Sequence, residues 1–423
     1  MTEPGGPADP NPSVAPLPSE SAVAGRPRVV WLALGLALGP AVALGLARFA
    51  YSLLLPAMRT DLGWSFGQAG TMNTANALGY LAGAMFAAPL AGRLGTRRSF
   101  AAGMALDATA LLGAGFTASF GLQLVLRLAA GIGSAATFIG GAGLVATLGR
   151  RAPARAGTLL SVYTAGAGAG IVVSGLTVAP LLAAIGPGGW RWAWFSLAAL
   201  AAASLLAALP SLRRTAEPTQ AAPAARRREP RPVIALLLPA LGYLLFGGGY
   251  IAYVTFIIAD VKAQGFSATQ VTVFWSLLGI TVLAGVPLWG RLLDRLRSGH
   301  ALALMTAVLA AGSALPLLAG GLTAGMASAV IFGSSFLAVP AGMAHLARRQ
   351  LPPEAWNWGI AALTVVFALG QSAGPGLAGI LADRAGGPSL GLVLATITLA
   401  VATAVYLTST IRLHPPATPP APV

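Results

Sequence analysis

The chain of 423 residues contains no cysteine, which excludes disulfides, thiolate metal sites and cysteine nucleophiles. Its three histidines, His300, His345 and His414, are too scattered to form a metal cluster or a nucleophile–base pair. No metal, cofactor or enzymatic activity is therefore expected. Acidic residues number only 11, and lysine occurs once, at Lys262. Charged residues make up 9% of the chain, too few to cover a soluble protein of this size. No G-x-x-x-x-G-K-[ST] loop occurs, which argues against ATP as the energy source. What is present is apolar: 56% of residues are hydrophobic and the mean hydropathy is +0.76. That composition belongs to a polytopic membrane protein. A net charge of +15 would suggest nucleic acid if it formed one patch. The arginines instead sit in short clusters between apolar runs, so no nucleic-acid partner is expected. Arginine in place of lysine, with abundant alanine and glycine, fits a GC-rich bacterial genome and hence a bacterial inner membrane.

The chain repeats itself. Pro89-Leu90-Ala91-Gly92-Arg93-Leu94 returns as Pro287-Leu288-Trp289-Gly290-Arg291-Leu292, a shift of 198 residues. Gly63-Trp64-Ser65 with Gln68 returns as Gly265-Phe266-Ser267 with Gln270, a shift of 202. Gly166, Gly170 and Gly175 return as Gly370, Gly374 and Gly379, a shift of 204. A period this long means two duplicated halves. An even number of helices in each half keeps the echoing loops on one side of a membrane.

Apolar runs long enough to span a bilayer fall near 29–56, 65–90, 99–118, 122–148, 157–185 and 190–210. Six more fall near 233–259, 270–289, 300–319, 321–346, 358–382 and 388–410. The fold class is thus an all-α membrane protein of twelve helices in two six-helix halves, 29–210 and 233–411. Residues 1–28 read as a disordered tail, 211–232 as an arginine-rich linker and 412–423 as a second tail. With the N-terminus in the cytoplasm, inside segments hold 20 basic residues and outside segments 5. Both termini and the linker are therefore expected on the cytoplasmic side. The helix-borne glycines read as sites where two backbones approach closely.

Two six-helix halves with a Gly-Arg-rich loop after the second helix of each resemble the major facilitator superfamily, whose loop pattern is G-x-x-x-D-R-x-G-x-R-R. Arg93, Gly95, Arg97 and Arg98 match it, but Gly92 stands where the aspartate belongs. Gly290, Asp294 and Arg295 match in the second copy. Gly379-x-x-x-Asp383-Arg384-x-Gly386 fits better than either, yet loop parity puts it at the other end. The stretches Gly45 to Met58, Asn73 to Tyr80 and Gly189 to Trp194 resemble the YbfB/YjiJ-like branch. The resemblance implies a monomeric secondary transporter that moves a small organic solute by alternating access, drives it with protons and opens one side at a time. A multidrug exporter is the alternative within that class; a membrane-embedded enzyme or a non-transporting receptor are rivals outside it.

Charges inside a bilayer are costly and mark functional candidates. Arg48 lies about 12 Å, and Arg127 about 9 Å, from the external ends of their helices. Arg48 reads either as an arginine snorkelling to the interface or as a cavity-facing cation for an anionic substrate. Asp107, the deepest acid, is expected either to pair structurally with Arg127 or to carry a proton; the resemblance implies a coupling role for Arg127. Asn73 and Asn76 share one face of the second helix at a depth close to that of Arg48, and read as substrate contacts or interhelical glue. Tyr51, Tyr163, Tyr253 and Gln371 are further polar lining candidates. Arg93 and Arg97 with Asp294 and Arg295 are expected to brace a cytoplasmic gate. Trp190, Trp192 and Trp194 read as interfacial anchors.

Overall fold

The computed structural model of the chain describes residues 26–218, 231–296 and 298–412. Of the expected tail 1–28, linker 211–232 and tail 412–423, residues 1–25, 219–230 and 413–423 lie outside the described residues, whereas 26–28, 211–214, 231–232 and 412 are helical and extend the neighbouring spans. All regular elements among the described residues are helical. The first half holds α1 (Val29–Leu62), α2 (Phe66–Leu94), α3 (Thr96–Phe116), α4 (Phe120–Arg151), α5 (Ala156–Ile185) and α6 (Trp190–Arg214). The second holds α7 (Arg231–Ala263), α8 (Ala268–Arg295), α9 (Ser298–Leu318), α10, α11 (Trp356–Ala385) and α12 (Ser389–Arg412). The helix α10 is broken into Gly321–Gly333 and Val339–Gln350. Eleven of the twelve are long and apolar enough to cross a membrane. The break has a local cause: Pro340 sits in the first turn of the second piece, where its missing N–H costs nothing but the preceding helix cannot continue.

The duplication is visible atom by atom. Ser65 and Ser267 each cap the helix that follows, and Gln68 and Gln270 each return a bond to the cap, so both sequence echoes form the same reciprocal box. Gly166 and Gly170 press on the α1 backbone at Ala37 and Ala41; Gly370 and Gly374 press on the α7 backbone at Leu244 and Gly248. A Cβ at any of the four would overlap a backbone oxygen, so these glycines exist for close helix approach.

Helices alternate direction, which gathers Arg93, Arg97, Arg98, Arg150, Arg151, Arg213 and Arg214 at one end of the bundle, here called the basic end. The opposite, far end carries Asp61, Asp260 and Asp383. The halves meet along α2 against α11 and α5 against α8. Two of the expected tryptophan anchors are core residues instead. Trp190 and Trp194 are fully buried, whereas Trp192 faces outward at 60% exposure. Residues four apart share a helix face and those two apart do not, and Trp190 further donates to Asp61 Oδ2 at 2.7 Å.

Candidate functional site

The site is built around an irregular stretch of α1. Between Ala41 and Phe49 the backbone widens to π-helical geometry, with the Ala50 amide bonding the Gly45 carbonyl five residues back at 3.1 Å. Such turns are rare and leave carbonyls free for other donors. Side chains of α4 take them up: Ser134 Oγ donates to the Ala43 carbonyl at 2.9 Å, and Arg127 Nη1 to the Ala47 carbonyl at 2.5 Å. Arg127 Nη2 also donates to Asn73 Oδ1 at 3.0 Å. Its guanidinium lies 4.9 Å from the Tyr51 ring centroid, and Tyr51 stacks on Trp194 with centroids 6.5 Å apart. Arg127 is thus largely committed to holding α1, α2 and α4 together.

Arg48 differs. It is 3% exposed, its guanidinium stands 5.4 Å from the Tyr80 ring, and its Nη2 finds no hydrogen-bond partner. Counting from Pro56 understated its depth, because α1 continues through Pro56 to Leu62, leaving Arg48 about 21 Å from that end. The Asn76 amide donates to the Arg127 carbonyl at 3.1 Å while its Oδ1 is unpartnered. Across the interface, Gln371 donates to the Tyr250 hydroxyl and leaves its own Oε1 unpartnered. Around Tyr250 stack Phe246, Phe367 and Phe336, the last reaching Phe49 at 5.6 Å from the broken segment of α10.

The remaining candidates sort differently. Asp107 is fully buried and does not pair with Arg127: it accepts from Ser134 Oγ at 3.1 Å, and its Oδ2 is unpartnered. Ser134 lies two turns along α4 from Arg127, about 10 Å away, which explains the missed pairing. The Tyr51 hydroxyl donates to the Ala69 carbonyl at 2.9 Å and that of Tyr163 to Phe138 at 2.7 Å, joining helices within one half. Tyr253 shares a 2.5 Å hydrogen bond with Ser328 and stacks on Phe332. The sequence reading missed Tyr250, although Tyr243, Phe246, Tyr250 and Tyr253 recur at helical spacing and mark an aromatic stripe.

Of the expected gate residues at the basic end, Arg97 is held by Glu217, just past the end of α6. Arg97 Nε bonds Glu217 Oε1 at 3.0 Å, and the same carboxylate accepts from the Thr96 amide at 2.9 Å. Partial burial pushes the Glu217 carboxyl up, but the Arg97 side chain and the Arg97 and Thr96 amides outweigh it and hold it below the usual range. Arg93 and Arg295 are exposed; the side chain of Asp294 lies outside the described residues. Side-chain hydrogen bonds between the halves, among the described residues, cluster toward the far end. Asn73 donates to Thr255 at 2.7 Å, Thr74 to the Ser372 carbonyl at 2.7 Å, and Trp275 to Ser174 at 3.1 Å. Asp383 accepts from the Phe66 and Gly67 amides at 2.6 and 2.8 Å.

Buried polar groups between two duplicated six-helix halves, beside one widened and one broken helix, are the architecture of a solute pathway. The profile of a family described as "Uncharacterised MFS-type transporter YbfB" matches residues 40–407. The chain belongs to that family, within the major facilitator superfamily. A "Chloramphenicol resistance protein" from Streptomyces lividans is 31% identical over 286 residues, covering 64% of this chain and 68% of that one. Among solved structures, a variant of the nucleoside transporter NupG superposes with a TM-score of 0.72 at 12% identity, covering 90% of this chain and all of that one (100%). A bacterial homologue of the human lysosomal transporter Spinster, inward-facing and unoccupied, superposes at 0.67 and 17% identity, covering 91% of this chain and 98% of that one. At these identities the two structures speak to the fold. As a facilitator-family member, the chain is a multi-pass membrane transporter.

Proposed function

We infer that this facilitator moves a small organic anion by alternating access, with Arg48 as the substrate-binding cation. The observation that carries the reading is the unpartnered Nη2 of Arg48, buried at the seam of the halves. A buried charge left unpaired is strongly unfavourable, so a position that keeps one is suited to receive a counter-charge. Asn76 and Gln371, each with a free carbonyl oxygen, would accept from hydroxyl or amide groups on the same solute. Arg127 positions the site rather than contacting the anion. Asp107, with one free carboxyl oxygen and Ser134 between it and α1, is the residue assigned to proton coupling. The basic end faces the cytoplasm in this reading, by the positive-inside bias, and the protein works as a monomer.

One observation favours a second reading. The stack of Phe246, Tyr250, Phe336 and Phe367 beside Arg48 would suit a neutral aromatic drug, and the Streptomyces relative is named for resistance to one. Purified protein in liposomes, given anionic, neutral and cationic solutes with and without a pH gradient, separates the two. Arg48→Gln should abolish anion flux selectively, and Asp107→Asn should remove the effect of the gradient. A neutral drug as best substrate, untouched by Arg48→Gln, would sink the anion reading in favour of drug export.

A further inference from the structure

At the basic end, the first turn of α3 and the last turn of α6 flank a crevice of about 400 Å³. Its apolar lining is Leu94, Ala101 and Leu212. Its charged lining is Arg97, Arg98, Arg213 and Glu217. Three positive charges face one negative charge, so the crevice has two positive charges in surplus. The negative charge is already spent: Glu217 is held by the Arg97 Nε and by the Thr96 and Arg97 amides, while Arg97 Nη1 donates to the Arg213 carbonyl at 3.3 Å. The Arg98 and Arg213 guanidinium groups make no hydrogen bond or ion pair among the described residues.

The position of the crevice restricts what can fill it. The helices α3 and α6 pack on each other and on neighbours in their own half. Their outward faces expose Leu112, Phe116, Trp192 and Leu206 at 44% to 71%, the surface of helices that face lipid. Where these apolar stripes give way to arginines is the level of the headgroups. A ligand here meets both apolar side chains and two free guanidinium groups.

We propose that this crevice binds the phosphodiester headgroup of an anionic phospholipid, with Arg98 and Arg213 on the phosphate and the acyl chain along the exposed Leu94. A zwitterionic lipid brings its own ammonium into a pocket that already has surplus positive charge, so it binds less well. A free phosphate ester has the charge but no use for the apolar lining. Basic pockets between helices at this level take anionic headgroups by the same chemistry. The proposal does not depend on which solute is transported.

The test uses the full chain in detergent. Because it lacks cysteine, Ala101→Cys introduces one thiol for a fluorophore in the crevice. Brominated phosphatidylglycerol should quench it at concentrations at least tenfold below brominated phosphatidylethanolamine, and soluble glycerol phosphate should not compete. Adding R98Q and R213Q should weaken phosphatidylglycerol quenching about thirtyfold, taking roughly 1 kcal/mol per arginine near a headgroup. R150Q with R151Q, at the same end but outside the crevice, should leave it unchanged. Equal quenching by both lipids, full competition by glycerol phosphate, or an equal loss in the Arg150/Arg151 pair would each overturn the proposal. The lipid comparison on the Ala101→Cys protein stands even if the arginine variants fail to fold.

Discussion

Asp383 is the sharpest point at which to perturb this protein. Its carboxylate, near the far end of α11, accepts two backbone amides from the first turn of α2 in the other half. It therefore neutralises an orphaned helix N-terminus only while the far end is closed. Hydrogen bonds to a charged group contribute about 1.5–3 kcal/mol each, and the solvent exposure of Asp383 places the pair at the bottom of that range or below. Asp383→Asn keeps one acceptor oxygen but loses the charge and one bond, a cost of about 2 kcal/mol to the closed far end. Every 1.4 kcal/mol is tenfold, so the open fraction should rise about thirtyfold. Thr255, fully buried and bonded to Asn73 at this seal, supplies the probe as Thr255→Cys in the cysteine-free chain. A membrane-impermeant maleimide should label it at least tenfold faster once Asp383 is Asn. Labelling that stays the same or slows would refute the reasoning, because Asp383 would then be only a solvated charge.

Other perturbations read other parts of the structure. Glu217 has a depressed folded-state value, so its contribution is complete above the ordinary glutamate range and is lost as pH falls through the lower folded value. Thermal unfolding of Glu217→Gln should lie slightly below wild type at pH 7, by at most about 1 kcal/mol for so exposed a pair, with the gap closing below about pH 4. Gly370→Ala puts a methyl against the Leu244 carbonyl and should lower the melting temperature, at a cost of about 1–3 kcal/mol. Gly290→Ala, with nothing within 4 Å of the new methyl, should be neutral or slightly stabilising in the same assay.

What the sequence made legible was what repeats or what costs energy in lipid. Ser65 with Gln68 and Ser267 with Gln270 echoed across the chain because the same cap is built twice. Arg48, Asp107 and Arg127 stood out because a charge in hydrocarbon needs a reason. Partnership was less legible. Which carbonyls Arg127 serves depends on the π-helical register of Ala41–Phe49, and no residue type in that stretch demands a wide turn. Glu217 looked like linker, since nothing in the chain announces that α6 ends beside the first turn of α3. Two signals were present and went unread: Pro340, which breaks α10, and the four-residue spacing of Trp190 and Trp194, which puts both on the inner face of α6.

The loop pattern gains a physical meaning from the same geometry. The helices α2 and α11 run antiparallel across the interface, so the far end pairs the end of α11 with the start of α2. The basic end then sets the end of α2 opposite the start of α11. Asp383 stands two residues before the last residue of α11, and Gly92 two before the last of α2. Gly92 therefore holds the mirror-image place of Asp383, without the carboxylate. At the α2–α11 interface the far end has a charged clasp and the basic end has glycine in its place, an asymmetry that favours a closed far end. Gly92→Asp should supply the missing clasp, to be taken up by the first amides of α11 when the basic end closes. Labelling at Thr255→Cys should rise in Gly92→Asp alone. In the double variant with Asp383→Asn the two effects should add as free energies, because the residues lie at opposite ends of the bundle and share no partner. A fall in labelling on Gly92→Asp would mean that the basic-end position does not meet a helix N-terminus, and the mirror relation between the two clasps would be wrong.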